Sequence, residues 1–271
     1  MGLASRLLIR SLGAAALAAL SSLAPSARAE GPAEAGKGGV FPAVAEVTKE
    51  DEAKALLQEL QNAANGADEK RLLAALRPLV GKRHRTFVAD LKKLAAHKSG
   101  EVAVAAVEAL GSQGDKGVAP LLSRIVALEV RERGILLGGT LKAAAIEALG
   151  RLGVAGSFDA VKRLAEAMLR DPEMRNRYAP PILRASVRYF GLTKEKRAVS
   201  FLIEHVDEPK PADPSSGTNP PESYWKARHE CWGAMRWDVG WALKEITGKE
   251  FETTRRWTRW FDEEGKKQGM K

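Results

Sequence analysis

A short helical pattern that ends in glycine recurs along this chain. The segments are VAVAAVEALG, which ends at Gly111, AAAIEALG, which ends at Gly150, and RASVRYFG, which ends at Gly191. The glycines lie 39 and 41 residues apart, and a related segment, WDVGWALKEITG, ends at Gly248. A period near 40 residues with two helices per unit is the sequence signature of a helical solenoid. One such unit cannot bury its own apolar face, so we expect neighbouring units to stack.

The copy from Thr140 to Leu152, TLKAAAIEALGRL, shows why the repeat is helical. Leu141, Ala145 and Ala148 recur at helical spacing and line one face. Thr140 is placed to cap the amino terminus of this helix, and a closing glycine can adopt the left-handed conformation that ends it. Aromatic residues make up only 6% of the chain, and alanine and leucine dominate, which favours closely packed helices over sheets.

Leucine-rich and valine-rich segments at helical spacing follow the repeated copies and predict a partner helix for each. We therefore predict an all-α fold, an α-solenoid of about five antiparallel helix pairs over residues 49–268. A Pro-rich insert, residues 207–222, interrupts the last unit and predicts a loop. The segment from Ser223 to Thr247 predicts one long helix, either continuous or broken at Gly233 or Gly240.

All six tryptophans of the chain lie beyond the Pro-rich insert. Trp257, Trp260 and Phe261 fall on one face of the last predicted helix. We interpret them as an aromatic carboxyl-terminal cap that closes the solenoid, and an aromatic patch that stacks on a sugar or peptide is the alternative. Cys231 is the only cysteine, so the chain cannot form an internal disulfide, and a lone helical cysteine is typically a small core residue.

The amino terminus predicts an export signal. Arg6 and Arg10 precede a short apolar run, and Ala27-Arg28-Ala29 is a small-residue cleavage site. We predict a signal peptide over residues 1–29, cleavage after Ala29 and a flexible leader over residues 30–48. The mature protein would then lie in the periplasm, in the cell envelope or outside the cell. The apolar run is short for a transmembrane helix, so we expect no membrane span after signal removal, and an uncleaved anchor is the alternative.

The charge of the chain permits an anionic partner without requiring one. The formal net charge is +9, and the densest basic run is Lys82, Arg83, His84 and Arg85. This run is either an anion-binding patch for phosphate, polysaccharide or nucleic acid, or a solvated turn between helices. No aromatic side chains interleave with these charges, which argues against a nucleic-acid platform.

The sequence contains none of the common catalytic or cofactor motifs. It has no G-x-S-x-G, H-E-x-x-H or C-x-x-C sequence and no phosphate-binding glycine loop. The histidines are far apart, and the carboxylate pairs lie in strongly charged segments. We therefore predict no catalytic residues, no cofactor and no metal site, so that the protein is not an enzyme.

The Glu-Ala-Leu-Gly helices and their leucine-rich partners resemble HEAT-type repeats, in particular the form named after phycobilisome lyases. The resemblance covers roughly residues 68–268, and Ala242–Phe251 with the tryptophans that follow is similar to the closing unit of exported bacterial HEAT-repeat proteins of unknown role. It implies an armadillo-like superhelix whose inner helices line a concave face, and it implies a scaffold that binds a protein or polymer there. Two other functions stay open: a polyanion-binding envelope protein and, less favoured, a lyase-type enzyme that shares the repeat.

Aligning the copies on their closing glycines places two series of equivalent positions on the inner helices. The first is Glu108, Glu147, Arg188 and Glu245, and the second is Val104, Ala143, Arg184 and Trp241. We predict that the partner binds to Arg184, Arg188, Trp241, Glu147 and Glu245, because arginine and tryptophan commonly anchor interfaces. The alternative for Glu147 and Arg188 is a solvated ion pair with no binding role.

Overall fold

The fold is all-α. A computed structural model of the chain describes residues 45–66, 68–127, 135–170 and 178–270. These residues are mostly helical, which confirms the predicted fold class. The predicted signal peptide, nearly all of the predicted leader and parts of two inter-helix connectors lie outside the described residues.

The described residues form eleven α-helices. They are α1 (Glu50–Asn65), α2 (Glu69–Leu76), α3 (Phe87–Leu94), α4 (Gly100–Ser112), α5 (Ala119–Ala127), α6 (Ile135–Arg151), α7 (Phe158–Arg170), α8 (Ala179–Leu192), α9 (Val199–Ile203), α10 (Glu222–Thr247) and α11 (Thr254–Trp260). A single 3-10 turn leads directly into each of α5, α7 and α9. Two short strands, β1 (Glu46–Val47) and β2 (Lys82–Arg83), pair in parallel.

The helices α2, α4, α6, α8 and α10 pack side by side in chain order, and we call them the front row. The shorter helices lie behind them, with α5 on α6, α7 on α8 and α9 on α10. Leu110, Leu149, Phe190 and Val239, one from each of four front-row helices, are fully buried. A single unit cannot bury these apolar side chains by itself, and the neighbouring front-row helices bury them.

The repeated glycines allow the front-row helices to approach each other closely. A Cβ atom added to Gly111 would lie 2.9 Å from the Cα and Cβ atoms of Ala148 on α6, and one added to Gly191 would overlap the ring of Trp241 on α10. The prediction that Gly150 ends its helix in a left-handed conformation is wrong, because the left-handed glycine after α6 is Gly153, with a φ of 64°. Gly248 has a φ of 69° at the end of α10.

The same contacts show which residue of α10 occupies the closing position. Gly111 meets Ala148, and Gly150 meets the Cα atom of Tyr189, so each closing glycine contacts the residue two places before the next one. Gly191 in turn meets Trp241, which makes Leu243 the counterpart of the closing glycines. The alignment on Gly248 is therefore wrong by five residues.

The burial pattern supports this corrected alignment. Asp238 stands where the earlier copies have Ala106, Ala145 and Ser186, and all four are buried. The last member of the first series becomes Gly240, and the last member of the second series becomes Arg236. Trp241 and Glu245 thus leave the two series.

Two further local predictions are resolved by the helix boundaries. Thr140 lies inside α6, which begins at Ile135, so it does not cap that helix. The helix α10 runs through Gly233 and Gly240 without a break. The Pro-rich insert forms turns and bends between α9 and α10, which agrees with the predicted loop.

The carboxyl-terminal aromatic residues are buried. Trp257 is 1% exposed and Trp260 is 6% exposed, and the Trp257 indole Nε1 donates to the carbonyl oxygen of Phe251 at 2.9 Å. The two indole rings meet edge to face, with 5.6 Å between their centres. Their burial favours a structural cap over an exposed stacking patch. Within the described ranges, no helix is both long enough and apolar enough to span a membrane.

Candidate binding groove on the front row

Two adjoining cavities run along the front-row helices, and Glu108 and Thr140 line both of them. The first, of about 610 Å³, lies against α2 and α4, and the second, of about 380 Å³, lies against α6 and α8. We call the two together the front-row groove and each cavity one of its lobes.

The floor of the groove is built from small side chains. Ala105, Ala143 and Ala144 come from α4 and α6, and Pro180 and Pro181 come from the first turn of α8. Proline fits that turn because the first backbone N–H groups of a helix have no partner within it. A floor of alanine and proline is apolar and low, so it can accept an extended ligand without displacing large side chains.

A line of ion pairs crosses the second lobe from α6 to α10. Asp238, 8% exposed in its side chain, accepts from Arg184 Nε at 3.1 Å and from Arg188 Nε at 3.0 Å. The Glu147 carboxylate then lies 3.3 Å from Arg188 Nη1 and 3.3 Å from Arg151 Nη2. A carboxylate as deeply buried as that of Asp238 requires such partners.

Arg184 is the member of this line that faces the groove. Its side chain is 48% exposed, whereas that of Arg188 is 16% exposed. The Nε–H group of Arg184 is engaged by Asp238, and its terminal nitrogens have no protein partner in the part of the chain that the structure describes. A guanidinium held in this way offers two donors in the geometry that suits a carboxylate or phosphate.

Glu108 stands between the two lobes. Burial raises its pKa above the ordinary value, the nearby Glu147 carboxylate raises it further, and Arg151 lowers it. The Glu108 side chain is exposed, so its desolvation is only partial, and together with the like charge of Glu147 it favours the protonated form.

The structure brings together three of the five predicted partner-binding residues. Arg184, Arg188 and Glu147 lie in the line of ion pairs, and the predicted pair between Glu147 and Arg188 is present. Trp241 instead packs against Gly191 at the contact between α8 and α10. Glu245 lies 3.8 Å from Lys194 Nζ and does not line the groove. Whether any of them binds a partner remains a prediction.

Sequence reasoning did not single out Asp238. Its signal was an acidic residue at a position where the other copies have alanine or serine, and the misplaced alignment on Gly248 hid that signal. Glu108 was in the first series, but its desolvation depends on the approach of α6 and could not be inferred from spacing.

The predicted anion patch is partly neutralised by carboxylates. Lys82 Nζ lies 2.9 Å from Glu52 and 3.4 Å from Glu46, and hydrogen bonds to these two groups raise the pKa of Lys82. His84 Nε2 lies 3.1 Å from Glu50. Of the four predicted residues, Arg83 and Arg85 are the exposed ones. The run therefore does not form one uncompensated basic surface.

Among the described residues, no group of three or more His, Cys, Asp or Glu side chains is placed to hold a metal ion. Burial raises the pKa of the Cys231 thiol to about 11, so this cysteine is protonated at neutral pH. A buried, protonated thiol is a poor nucleophile.

Comparison with known proteins gives no support for a particular family. No family model matches the sequence, and no curated protein or solved structure matches it significantly. The resemblance to HEAT-type repeats therefore rests on the repeat pattern of this chain.

Proposed function

We propose that this chain is a non-enzymatic α-solenoid of about five HEAT-like helix pairs. The repeated contact between a closing glycine and the next front-row helix supports this proposal. Gly111 meets Ala148, and Gly150 meets the equivalent residue, Tyr189. Stacking with a constant register is the property that defines solenoid repeats.

We further propose that the front-row groove binds an extended segment of a protein partner. The observation that carries this proposal is the orientation of Arg184 by Asp238 beside a floor of small apolar side chains. An arginine that is already ordered loses little entropy on binding a carboxylate. The alanine and proline floor accommodates the backbone and small side chains of the same segment.

The charges that line the groove favour a protein segment over a polyanion. Glu101, Glu108 and Glu147 line it together with Arg77 and Arg184. A string of phosphates or sulfates would meet the glutamates as well as the arginines, whereas a peptide can match both signs. The partly neutralised Lys82 to Arg85 run gives the polyanion-binding alternative little support, and the buried Cys231 gives the lyase alternative little support.

Photo-crosslinking can test the groove. A benzoylphenylalanine in place of Glu101, which lines the larger lobe, should form adducts with a partner in an extract of the producing cells. The same amino acid in place of Lys162 on α7, behind the front row, is the control. In the Glu101-labelled protein, Arg184→Ala should weaken capture roughly 10- to 100-fold, the value of a charge-assisted hydrogen bond, and Arg163→Ala should not. Equal adducts from both positions, or full capture without Arg184, would refute the groove as the binding site.

Export is a separate part of the proposal and rests on the amino-terminal sequence. Arg6, Arg10 and the Ala27-Arg28-Ala29 site support cleavage after Ala29. Mass spectrometry of the protein from its source should find Glu30 at the amino terminus. Recovery of chains that begin at Met1 would contradict the assignment to the periplasm, envelope or exterior.

A further inference from the structure

A cavity of about 560 Å³ lies beside strand β2 and the residues that follow α4. We call it the β2 cavity, and its walls include Val47, Arg83, Arg85, Val88 and residues 113–115. It shares no lining residue with the front-row groove. It is therefore a separate candidate site, and its cationic side chains belong to the basic run from Lys82 to Arg85.

The pairing of β1 with β2 divides this basic run between two faces. In the parallel register Glu46 is opposite Lys82, and Val47 is opposite Arg83. Side chains that are opposite each other on neighbouring strands project from one face of a sheet, and successive side chains project from opposite faces. Val47 and Arg83 therefore share a face, and Glu46 and Lys82 share the other.

The two faces differ in charge. The side chains of Lys82 and His84 contact carboxylates of β1 and α1, whereas Arg83 and Arg85 line the β2 cavity. Neither arginine forms an ion pair with a residue that the structure describes. The basic run thus has one neutralised side and one side with two uncompensated guanidinium groups.

The residues after α4 hold the basic run in place. The Gln113 carboxamide, 5% exposed, donates to the Lys82 carbonyl oxygen at 2.9 Å and accepts from the His84 backbone N–H at 3.0 Å. The Arg83 guanidinium lies against Gly114, where an added Cβ atom would be 2.6 Å from Arg83 Cζ. Because the backbone and one guanidinium are already ordered, an anion binds here with a small loss of entropy.

The other residues of the cavity select the kind of anion. Asp115 adds one negative charge, and its Oδ1 atom accepts from the Gly117 N–H at 2.8 Å. Two arginines beside one aspartate favour a single carboxylate over a phosphate or a chain of anions, and a carboxylate matches the planar donors of arginine. Val47, 73% exposed, offers an apolar side chain on the same face.

We propose that the β2 cavity binds the terminal carboxylate of a polypeptide that ends in a small apolar residue. Arg83 and Arg85 hold the carboxylate, and the last side chain lies against Val47. A chain end fits a cavity of this volume, whereas an internal segment would have to pass through it. This inference goes beyond the proposed groove function and does not depend on a groove ligand.

Isothermal titration calorimetry on the purified chain tests the proposal with the peptide acetyl-Ala-Ala-Val. The peptide with a free carboxylate should bind one to one, and the same peptide with a terminal amide should bind at least 10-fold more weakly. Arg83→Gln and Arg85→Gln should each weaken binding of the acid roughly 10- to 100-fold, the value of a charge-assisted hydrogen bond. Arg255→Gln, at an exposed arginine of α11, is the matched control and should bind like the wild type.

Two further measurements separate this ligand from other anions. Val47→Ser should keep the melting temperature of the wild type, because the side chain is exposed, and should abolish the preference for acetyl-Ala-Ala-Val over acetyl-Ala-Ala-Ser. Inorganic phosphate and octanoate should bind more weakly than the peptide acid. The proposal would be overturned by equal binding of acid and amide, by phosphate or octanoate that binds as tightly as the peptide, or by full binding in a folded Arg85→Gln variant. Absence of binding by the wild type would also overturn it.

Discussion

Substituting Gly111 by alanine tests the close packing of the front row. The new Cβ atom would lie 2.9 Å from both the Cα and the Cβ atom of Ala148, which is well inside van der Waals contact. Because a backbone atom cannot move away by changing rotamer, α4 and α6 must separate. Ala148 itself is buried, so that movement disturbs the packing around it.

The magnitude follows from two opposed effects. Overpacking at a rigid contact costs ~2–3 kcal/mol, and alanine is better than glycine in a helix by ~1 kcal/mol, which leaves a net loss of ~1–2 kcal/mol for Gly111→Ala. Gly240→Ala has the same helix preference and no clash, so we expect a gain of ~0.5–1 kcal/mol. The two substitutions make the same change inside a helix and should change stability in opposite directions.

Urea unfolding followed by circular dichroism at 222 nm measures both changes. The midpoint should fall for Gly111→Ala and rise for Gly240→Ala, with slopes that match the wild type. If Gly111→Ala were as stable as Gly240→Ala, the close contact between α4 and α6 would not exist and the register argument would fail.

Four further substitutions test the charged line, the groove and the cap. Asp238→Asn should lower the free energy of unfolding by ~2–4 kcal/mol, because the partly buried arginine guanidinium groups lose their shared carboxylate. Ionising Glu108, whose pKa is raised, costs free energy only in the folded state, so stability should fall as the pH rises from 4.5 through the folded-state pKa. Glu108→Gln should remove this loss and be more stable than the wild type at pH 7. Trp257→Ala should cost ~3–5 kcal/mol, whereas Trp237→Ala should change stability by no more than ~0.5 kcal/mol.

Each of these results has a matched control and a contrary outcome. Asp115→Asn, in an exposed turn, gives a baseline for amide substitution, and an equal effect at both sites would mean that the ion pairs contribute nothing. Glu101→Gln is the control for Glu108→Gln. If stability depended on pH in the same way for both variants, the Glu108 carboxyl would be fully solvated. Equal losses at the two tryptophans would contradict the difference in their burial.

The repeat period was sufficient to predict the helical class, because apolar spacing fixes which face of each helix is buried. The role of the glycines was not predictable from spacing alone. A glycine near the end of a helix suits both a left-handed stop and a close helix contact, and only the position of the next helix distinguishes them. At Gly111 the close approach of Ala148 shows a helix contact. At Gly248 the φ of 69° shows a left-handed stop.

The alignment of α10 failed for a related reason. The Pro-rich insert changes the distance between the last two copies, so the period no longer indicates the closing residue. Leu243 and Gly248 are both separated from Gly191 by more than the usual step. The aromatic character of Trp241 suggested an exposed anchor, but its ring fills the space that Gly191 leaves open, and Trp237 is the exposed tryptophan.

Two arginines that appeared equivalent in the sequence have different roles, although both donate to the buried carboxylate of Asp238. Arg188 uses Nε for Asp238 and Nη1 for Glu147, so it joins α6, α8 and α10 and is nearly covered. Arg184 uses only Nε for the same carboxylate and keeps its terminal nitrogens toward the groove. Reversing the charge of Arg188 would leave two carboxylates beside a third and would disturb folding as well as binding. A substitution confined to Arg184 therefore reports on the partner, and one at Arg188 reports on the packing of the helices that position Arg184.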